Sequence, residues 1–325
     1  MKLIIQIPCL NEEKTLPLTV RDIPESIDGI ETIEILVIDD GSKDRTCEVA
    51  GECGVDHIIR LPETVGLAHA FSIGIDACLK RGADIIVNTD GDNQYNGSNI
   101  PRLIEPILQG NADMVIGARI IDEVEHFSFI KKILQKLGSW VVRKASGTTI
   151  PDVTSGFRAF NREAAMRMNI ISEFSYTLES IIQAGNRRIS LKHVSISTNK
   201  KLREPRLFKS IWGYLRKSIP TIVRIYTMYQ PLKVFLFIGG INFIIGISLS
   251  IRFLYHYFQG HSSGHIQSLI LSAILILIGF ILSMIGLLAD LIAGNRKLIE
   301  DVLYRVKSID IDKNESEDKK KNHFT

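Results

Sequence analysis

The sequence predicts an α/β fold: a doubly wound, mostly parallel sheet, followed by interfacial amphipathic helices and a two-helix transmembrane hairpin. Three observations predict it. Short apolar runs rich in β-branched residues alternate with helical stretches through residues 1–199, the pattern of strands covered on both faces. Several of those runs end in polar or acidic turns beside helix starts, where open α/β sheets take their ligands. Two long apolar stretches then lie close together near the C-terminus, each near the ~20 residues that cross a bilayer.

The elements follow in order. Residues 3–7 form a first strand, too short and too soon interrupted by Pro8 for a signal peptide. A helix is expected over 13–22, a strand over 33–38, a helix over 45–53, a strand over 57–61 and a helix over 67–81. The run 85–88 is a buried strand that leads straight into Asp90. A helix over 100–109, a strand over 114–116, helices over 130–145 and 176–184, and a strand over 191–196 complete this part. In 207–217, Leu207, Ile211, Tyr214 and Leu215 share one helical face with Trp212 at its margin. That pattern suits a helix lying among lipid headgroups or one packed on the preceding α/β part. Pro220 starts a second such segment.

The first span runs over 234–251, prolonged by Phe253 to Phe258, and the second over 266–288, stopping before Asp290. Only Gln259 to His265 separate them, and Tyr255, Tyr257 and Phe258 fit an aromatic belt at that turn. Lys and Arg before the first span, with Arg296 and Lys297 after the second, predict that both ends face the cytoplasm. From Asp310 the chain is charged and poor in apolar residues, which predicts disorder. The expected organisation is therefore a catalytic domain over 1–199, a basic closing segment with interfacial helices over 200–231, a hairpin over 232–293 and a tail over 294–325. The expected location is a cell membrane or an ER-type membrane, crossed more than once.

The formal net charge of +3 is too small to argue for nucleic acid. Its distribution says more: between Lys200 and Lys233 basic residues crowd against the single acid Glu204, just before the first span. Cys9, Cys47, Cys53 and Cys78 have neither the spacing of a zinc site nor that of a disulfide framework, so free thiols are expected.

The chemistry concentrates at Asp90-Gly91-Asp92. Two carboxylates at a strand end repel each other unless a cation lies between them, and hard oxygen ligands suit Mg²⁺ or Mn²⁺. Gly91 is expected to let the backbone turn so that both side chains face one ion. Two further strand ends, Ile7-Pro8-Cys9-Leu10-Asn11-Glu12-Glu13 and Ile38-Asp39-Asp40-Gly41-Ser42, frame a crevice able to hold a nucleotide.

Together these segments resemble the family 2 glycosyltransferases of the GT-A fold. More narrowly they resemble the membrane-anchored dolichyl- or polyprenyl-phosphate sugar synthases, the dolichol-phosphate mannosyltransferase type. The resemblance covers residues 1–229 and implies inverting transfer of one sugar from a UDP- or GDP-linked donor to a polyprenyl or dolichyl phosphate. It implies that Pro8, Leu10 and Glu12 line the nucleobase pocket and that Asp40 contacts base or ribose. Asp90 and Asp92 would hold the divalent metal on the donor diphosphate, with Gln94 as a further ligand. Asp113-Met114-Val115-Ile116-Gly117-Ala118-Arg119 is similar to the family segment whose arginine lies near the acceptor phosphate. Lys131 and Lys132 occupy the region of another basic acceptor contact, where the family often has arginine, and lysine lacks its bidentate fork. Asp152-Val153-Thr154-Ser155-Gly156-Phe157-Arg158 is similar to the family motif below the acceptor site. The stretch from Thr198 to Leu207 is similar to the basic segment that closes over the substrates, with Arg203 and Arg206 on the acceptor phosphate. Self-association is a further implication.

A lipid phosphate is already an anion at neutral pH, so it needs desolvation, alignment and charge screening more than a general base. Arg119 and its neighbours would align it opposite the leaving group. Asp92 and Arg119 are therefore the expected catalytic residues, with Asp152 either orienting basic residues or acting as a base. Two rival readings stand beside this one. One is transfer to a lipid-linked glycan or a polysaccharide, although the Gln-x-x-Arg-Trp pattern of processive synthases is missing. The other is a non-catalytic membrane scaffold, which has no chemical need for clustered carboxylates.

Overall fold

In the computed structural model, residues 1–119, 143, 146–170, 176–187, 189–199, 220, 223–224, 226–259 and 266–322 are described. Contacts divide the chain into two units, Met1–Ile222 with Leu303–Thr325, and Val223–Val302.

In the first unit the strands are β1 (Lys2–Cys9), β2 (Thr32–Asp39), β3 (His57–Arg60), β4 (Ile85–Asn88), β5 (Met114–Arg119), β6 (Arg158–Asn161) and β7 (Leu191–Ile196). Helices α1 (Leu16–Arg21), α2 (Thr46–Glu52), α3 (Leu67–Lys80), α4 (Ile100–Leu108), α5 (Arg162–Arg167) and α6 (Tyr176–Asn186) intervene. Among the described residues the strands form one sheet in the order β3-β2-β1-β4-β6-β5-β7. Every neighbouring pair is parallel except those of β6, which runs antiparallel to β4 and β5. Every residue of β1 after Lys2 is buried, as a central strand covered on both faces requires.

β6 and α5 are not legible in the sequence. Arg158-Ala159-Phe160-Asn161 has no β-branched residue and is too short to show an alternation. Its insertion matters for the site. In register, Arg158 lies opposite both Asn88 of β4 and Ile116 of β5. The start of β6 therefore sits between the strand end that leads to Asp90 and the one that ends in Arg119. Phe157, just ahead of it, is fully buried, and its ring fills the space of a side chain at Gly117, where a Cβ would lie 2.7 Å from Phe157 Cδ1. Truncating such a core phenylalanine costs about 3–5 kcal/mol.

The second unit is built on α7 (Pro231–Phe258) and the first part of α8 (Ile266–Asn322). Both helices are long and apolar enough to cross a membrane. Phe237, Ile244, Phe258, Leu277 and Phe280 are exposed, unlike the side chains of core helices in a soluble protein, and the helices are membrane-associated elements. Small residues let them approach closely: a Cβ at Gly239 would lie 2.9 Å from Gly279 O, and one at Gly246 would lie 2.8 Å from Ile276 Cγ1. Ser250 and Ser272 hydroxyls meet at 2.5 Å, and Ser272 also donates to Gly246 O at 2.6 Å.

α8 does not stop at Leu288. It continues to Asn322, so the stretch from Asp310 expected to be disordered is helical that far. Composition does not register that this helix end has side-chain partners on both sides of its start, with Asp310 3.8 Å from Lys80 Nζ. Tyr304 donates to Glu163 Oε2 at 2.8 Å beneath the Arg167 guanidinium, Lys307 pairs with Asp76 at 2.8 Å, and Ile311 is buried. All four cysteines are free.

Candidate active site

Three loops at the carboxyl ends of β1, β2 and β4 build one side of the site. Asn11 and Asn93 are the non-glycine residues with positive φ among the described residues, at 55° and 53°, and both lie in these loops. Left-handed backbone at such residues persists where surrounding contacts hold it, commonly at functional sites. Asn11 Oδ1 accepts from Lys43 N at 2.8 Å, and Asn11 N donates to Ser42 Oγ at 2.8 Å. Asn93 is held by Asn199, whose Nδ2 donates to Asn93 O and Oδ1, each at 3.2 Å, and to Asp22 Oδ2.

Gly91 and Asp92 form the turn after β4, and the left-handed residue that follows it is Asn93. Gly91 is required for space: a Cβ there would lie 2.8 Å from Cys9 Sγ and 3.3 Å from Glu12 Cγ. That close packing links the β1 loop to the Asp90–Asp92 turn. Pro8 is buried at the end of β1, and Leu10 is half-buried beside it. Glu12 is buried, accepts from Thr15 Oγ1 at 2.7 Å, and its backbone N donates to Thr46 Oγ1 at 2.7 Å. Asp40 is buried and clamps the start of α3, accepting from Val65 N at 2.8 Å and Gly66 N at 3.0 Å. Each of its oxygens keeps a second lone pair for a ligand.

Burial raises the Asp90 carboxyl to about 7, and the charges of Asp92 and Glu12 add to it while Arg119 and Arg158 oppose it. Asp92 Oδ1 accepts from Gln94 N at 3.1 Å. Burial also pushes the Cys9 thiol well up, with Glu12, Asp39 and Asp90 adding to the shift. This corner of the molecule therefore holds excess negative charge that a cation would neutralise. The charge is of a kind that a divalent ion would neutralise, and Gly156 packs close on Asp90, where a Cβ would crowd both carboxylate oxygens at 3.0 Å. Among the described residues no group of three or more His, Cys, Asp or Glu forms a complete cage. Asp90 and Asp92 would offer a pair of carboxylates, which suits an ion that also takes phosphate oxygens and water.

On the other side, Arg119 ends β5 and is held in a fork by Asp152: Nε to Oδ2 at 2.7 Å and Nη2 to Oδ1 at 3.2 Å. Nη2 also donates to Thr154 Oγ1 at 2.9 Å, and the guanidinium lies 5.9 Å from the Tyr95 ring centroid. Asp152 is fully buried, and although burial alone would raise its carboxyl, the Arg119 pair and Thr154 hold it below the usual range. A carboxylate so stabilised is a poor base, so of its two expected roles the geometry favours orienting Arg119. Lys132, Arg203 and Arg206 lie outside the described residues, as do Lys131, Lys200, Lys201, Lys209, Lys217 and the 207–217 helix.

Sequence reasoning missed the scaffold under these groups. Tyr95 OH accepts from Gly156 N at 2.9 Å, and Asn88 Nδ2 donates to Gly156 O at 2.8 Å and to Tyr176 OH at 3.1 Å. Tyr95 and Asn88 flank the acidic pair in sequence, which is the one signal that could have found them.

A model of glycosyl transferase family 2 matches residues 4–168. The chain belongs to glycosyl transferase family 2. It is a glycosyltransferase, and its relatives include the polyprenyl-phosphate type. It is 30% identical over 174 residues to the polyprenol monophosphomannose synthase of Mycolicibacterium smegmatis, covering 51% of this chain and 64% of that one. It is 27% identical over 236 residues to the undecaprenyl-phosphate mannosyltransferase of Micrococcus luteus, covering 69% and 93%. With the dolichol-phosphate mannosyltransferase of Pyrococcus furiosus it shares 30% identity over 226 residues, covering 66% and 62%. The glycosyltransferase also superposes on glucosyl-3-phosphoglycerate synthase of Mycobacterium tuberculosis, solved with Mn²⁺, UDP-glucose and phosphoglyceric acid. The TM-score is 0.55 at 20% identity, covering 69% of this chain and 79% of that one, a likeness of fold.

Proposed function

We propose that this glycosyltransferase moves a single sugar, with inversion, from a nucleotide sugar to a polyprenyl or dolichyl phosphate at the cytoplasmic face of a membrane. The observation that carries the reading is the opposition of charges around Gly156. A carboxylate pair at the end of β4 suits a metal-bound donor diphosphate, and a forked, nearly buried Arg119 suits an anionic acceptor. The relatives' names support the acceptor class.

In this reading Pro8, Leu10, Glu12 and Asp40 take the nucleoside of a UDP- or GDP-sugar. Asp90 and Asp92, with Gln94, hold Mg²⁺ or Mn²⁺, which when bound stabilises the departing diphosphate as a Lewis acid. Arg119, oriented by Asp152, holds the acceptor phosphate in line with the anomeric carbon, and Lys132, Arg203 and Arg206 screen its charge. No proton need be removed, which agrees with the low basicity of Asp152. The chain crosses the membrane twice, with the catalytic domain and both termini in the cytoplasm, and self-associates. The domain limits of 199, 231 and 293 belong to the same reading.

The test offers purified protein, Mg²⁺ or Mn²⁺ and a short polyprenyl phosphate a panel of radiolabelled UDP- and GDP-sugars, followed by organic extraction. Label in the organic phase with one donor supports the reaction and identifies the sugar. Nucleotide binding without organic label from any donor would move the acceptor to a lipid-linked glycan or polymer.

A further inference from the structure

Arg158 is fully buried and, among the described residues, makes no ion pair. Its hydrogen-bond partners are neutral, with Asp152 and Asp90 acting on it only through space: Nε donates to Ser155 O at 2.8 Å, Nη2 donates to Val153 O at 3.0 Å, and Nη1 bonds Ser180 Oγ. The Tyr176 ring centroid lies 5.8 Å away. A buried cation with no directly bonded anion is costly even with Asp152 and Asp90 nearby, and an apolar side chain of similar volume would fill the space with less penalty. Its guanidinium fork has a specific use, however. It reaches two carbonyls of the same loop at once, which a point charge on a flexible stem does not do.

That loop touches both halves of the site. Asp152 and Thr154 hold Arg119. Two residues further on, Gly156 faces both oxygens of Asp90. The carbonyls that Arg158 binds, those of Val153 and Ser155, alternate with these residues. The register agrees, since Arg158 begins the strand inserted between β4 and β5.

We propose that Arg158 is a positioning residue that sets Arg119 and Asp90 at a fixed spacing by templating the 152–156 loop. The metal side and the acceptor side are thereby one mechanical unit. This rests on the proposed reaction for its acceptor half and on the carboxylate pair alone for its metal half.

The test uses the full chain in detergent and compares wild type with Arg158→Lys, Arg158→Met and Ser180→Ala. Mn²⁺ binding is read by electron paramagnetic resonance, with the metal alone and with UDP or GDP, and KM and kcat are read with undecaprenyl phosphate. For Arg158→Met, the Mn²⁺ dissociation constant and the acceptor KM should both rise on the order of tenfold, as for lost outer-shell support of a metal site. Arg158→Lys should recover part of both, and Ser180→Ala should shift both slightly in the same direction. A comparison variant, Asp152→Asn, should raise the acceptor KM and lower kcat while leaving the Mn²⁺ dissociation constant unchanged. A folded Arg158 variant with only a lowered melting temperature, or with one constant shifted and the other unchanged, overturns the proposal. If Arg158→Met does not fold, Arg158→Lys and Ser180→Ala decide by the same criterion. If wild type transfers no sugar to the lipid phosphate, the proposed reaction fails, while Mn²⁺ affinity still reads the metal half.

Discussion

At Asp90, burial and the neighbouring Asp92 raise the carboxyl to about 7, whereas at Asp152 the Arg119 fork holds it low. The two have opposite consequences for stability against pH. The metal-free fold binds a proton at Asp90 more tightly than the unfolded chain does, so that contribution falls as pH rises from about 4 through about 7. The Asp152 contribution is present above the ordinary aspartate value and is lost only as pH falls through its depressed one. Mn²⁺ should therefore raise the melting temperature more at pH 8 than at pH 5.5, and thermal unfolding at both pH values with and without the ion checks this. Asp92→Ala should abolish turnover while leaving membrane insertion intact. Near wild-type transfer in that variant would sink the metal assignment. Gly91→Ala should lower activity and destabilise by about 1–3 kcal/mol, because its Cβ would overpack Cys9 and Glu12, and a denaturant titration reads that loss.

Among the elements, β1 to β5 were legible because each is a run of apolar, largely β-branched residues bounded by turns. β6 was not, since a four-residue strand shows no period and takes its place from its two neighbours. The end of α8 was illegible for the opposite reason. Its charges read as a solvated tail, yet Lys307 and Asp310 pair with Asp76 and Lys80 of α3, and Tyr304 bonds Glu163 of α5. Tyr304→Phe removes one charged hydrogen bond, and Lys307→Glu sets like charges against Asp76. The double variant should lose about 1 kcal/mol or more, a few degrees in melting temperature, without changing the donor KM. An unchanged melting curve would mean that this docking contributes nothing to stability.

At the scale of the molecule, one unit holds the sheet and the site and the other holds the apolar helices. Membrane fractionation with an alkaline carbonate wash should leave the protein in the pellet, and Gly239→Leu, which forces a side chain into Gly279, should weaken hairpin packing without releasing it. Local sequence was sufficient for the alternating α/β plan, the acidic strand end and the two long apolar helices. Hydrophobic period and apolar length are properties of neighbouring residues and need no knowledge of the rest of the chain. Only the tertiary structure shows the Asp152 fork on Arg119, the close packing of Gly91 on Cys9 and Glu12, and the placing of Arg158 between Asn88 and Ile116. Those contacts bring together residues tens of positions apart through strand order, where spacing along the chain carries no information about distance.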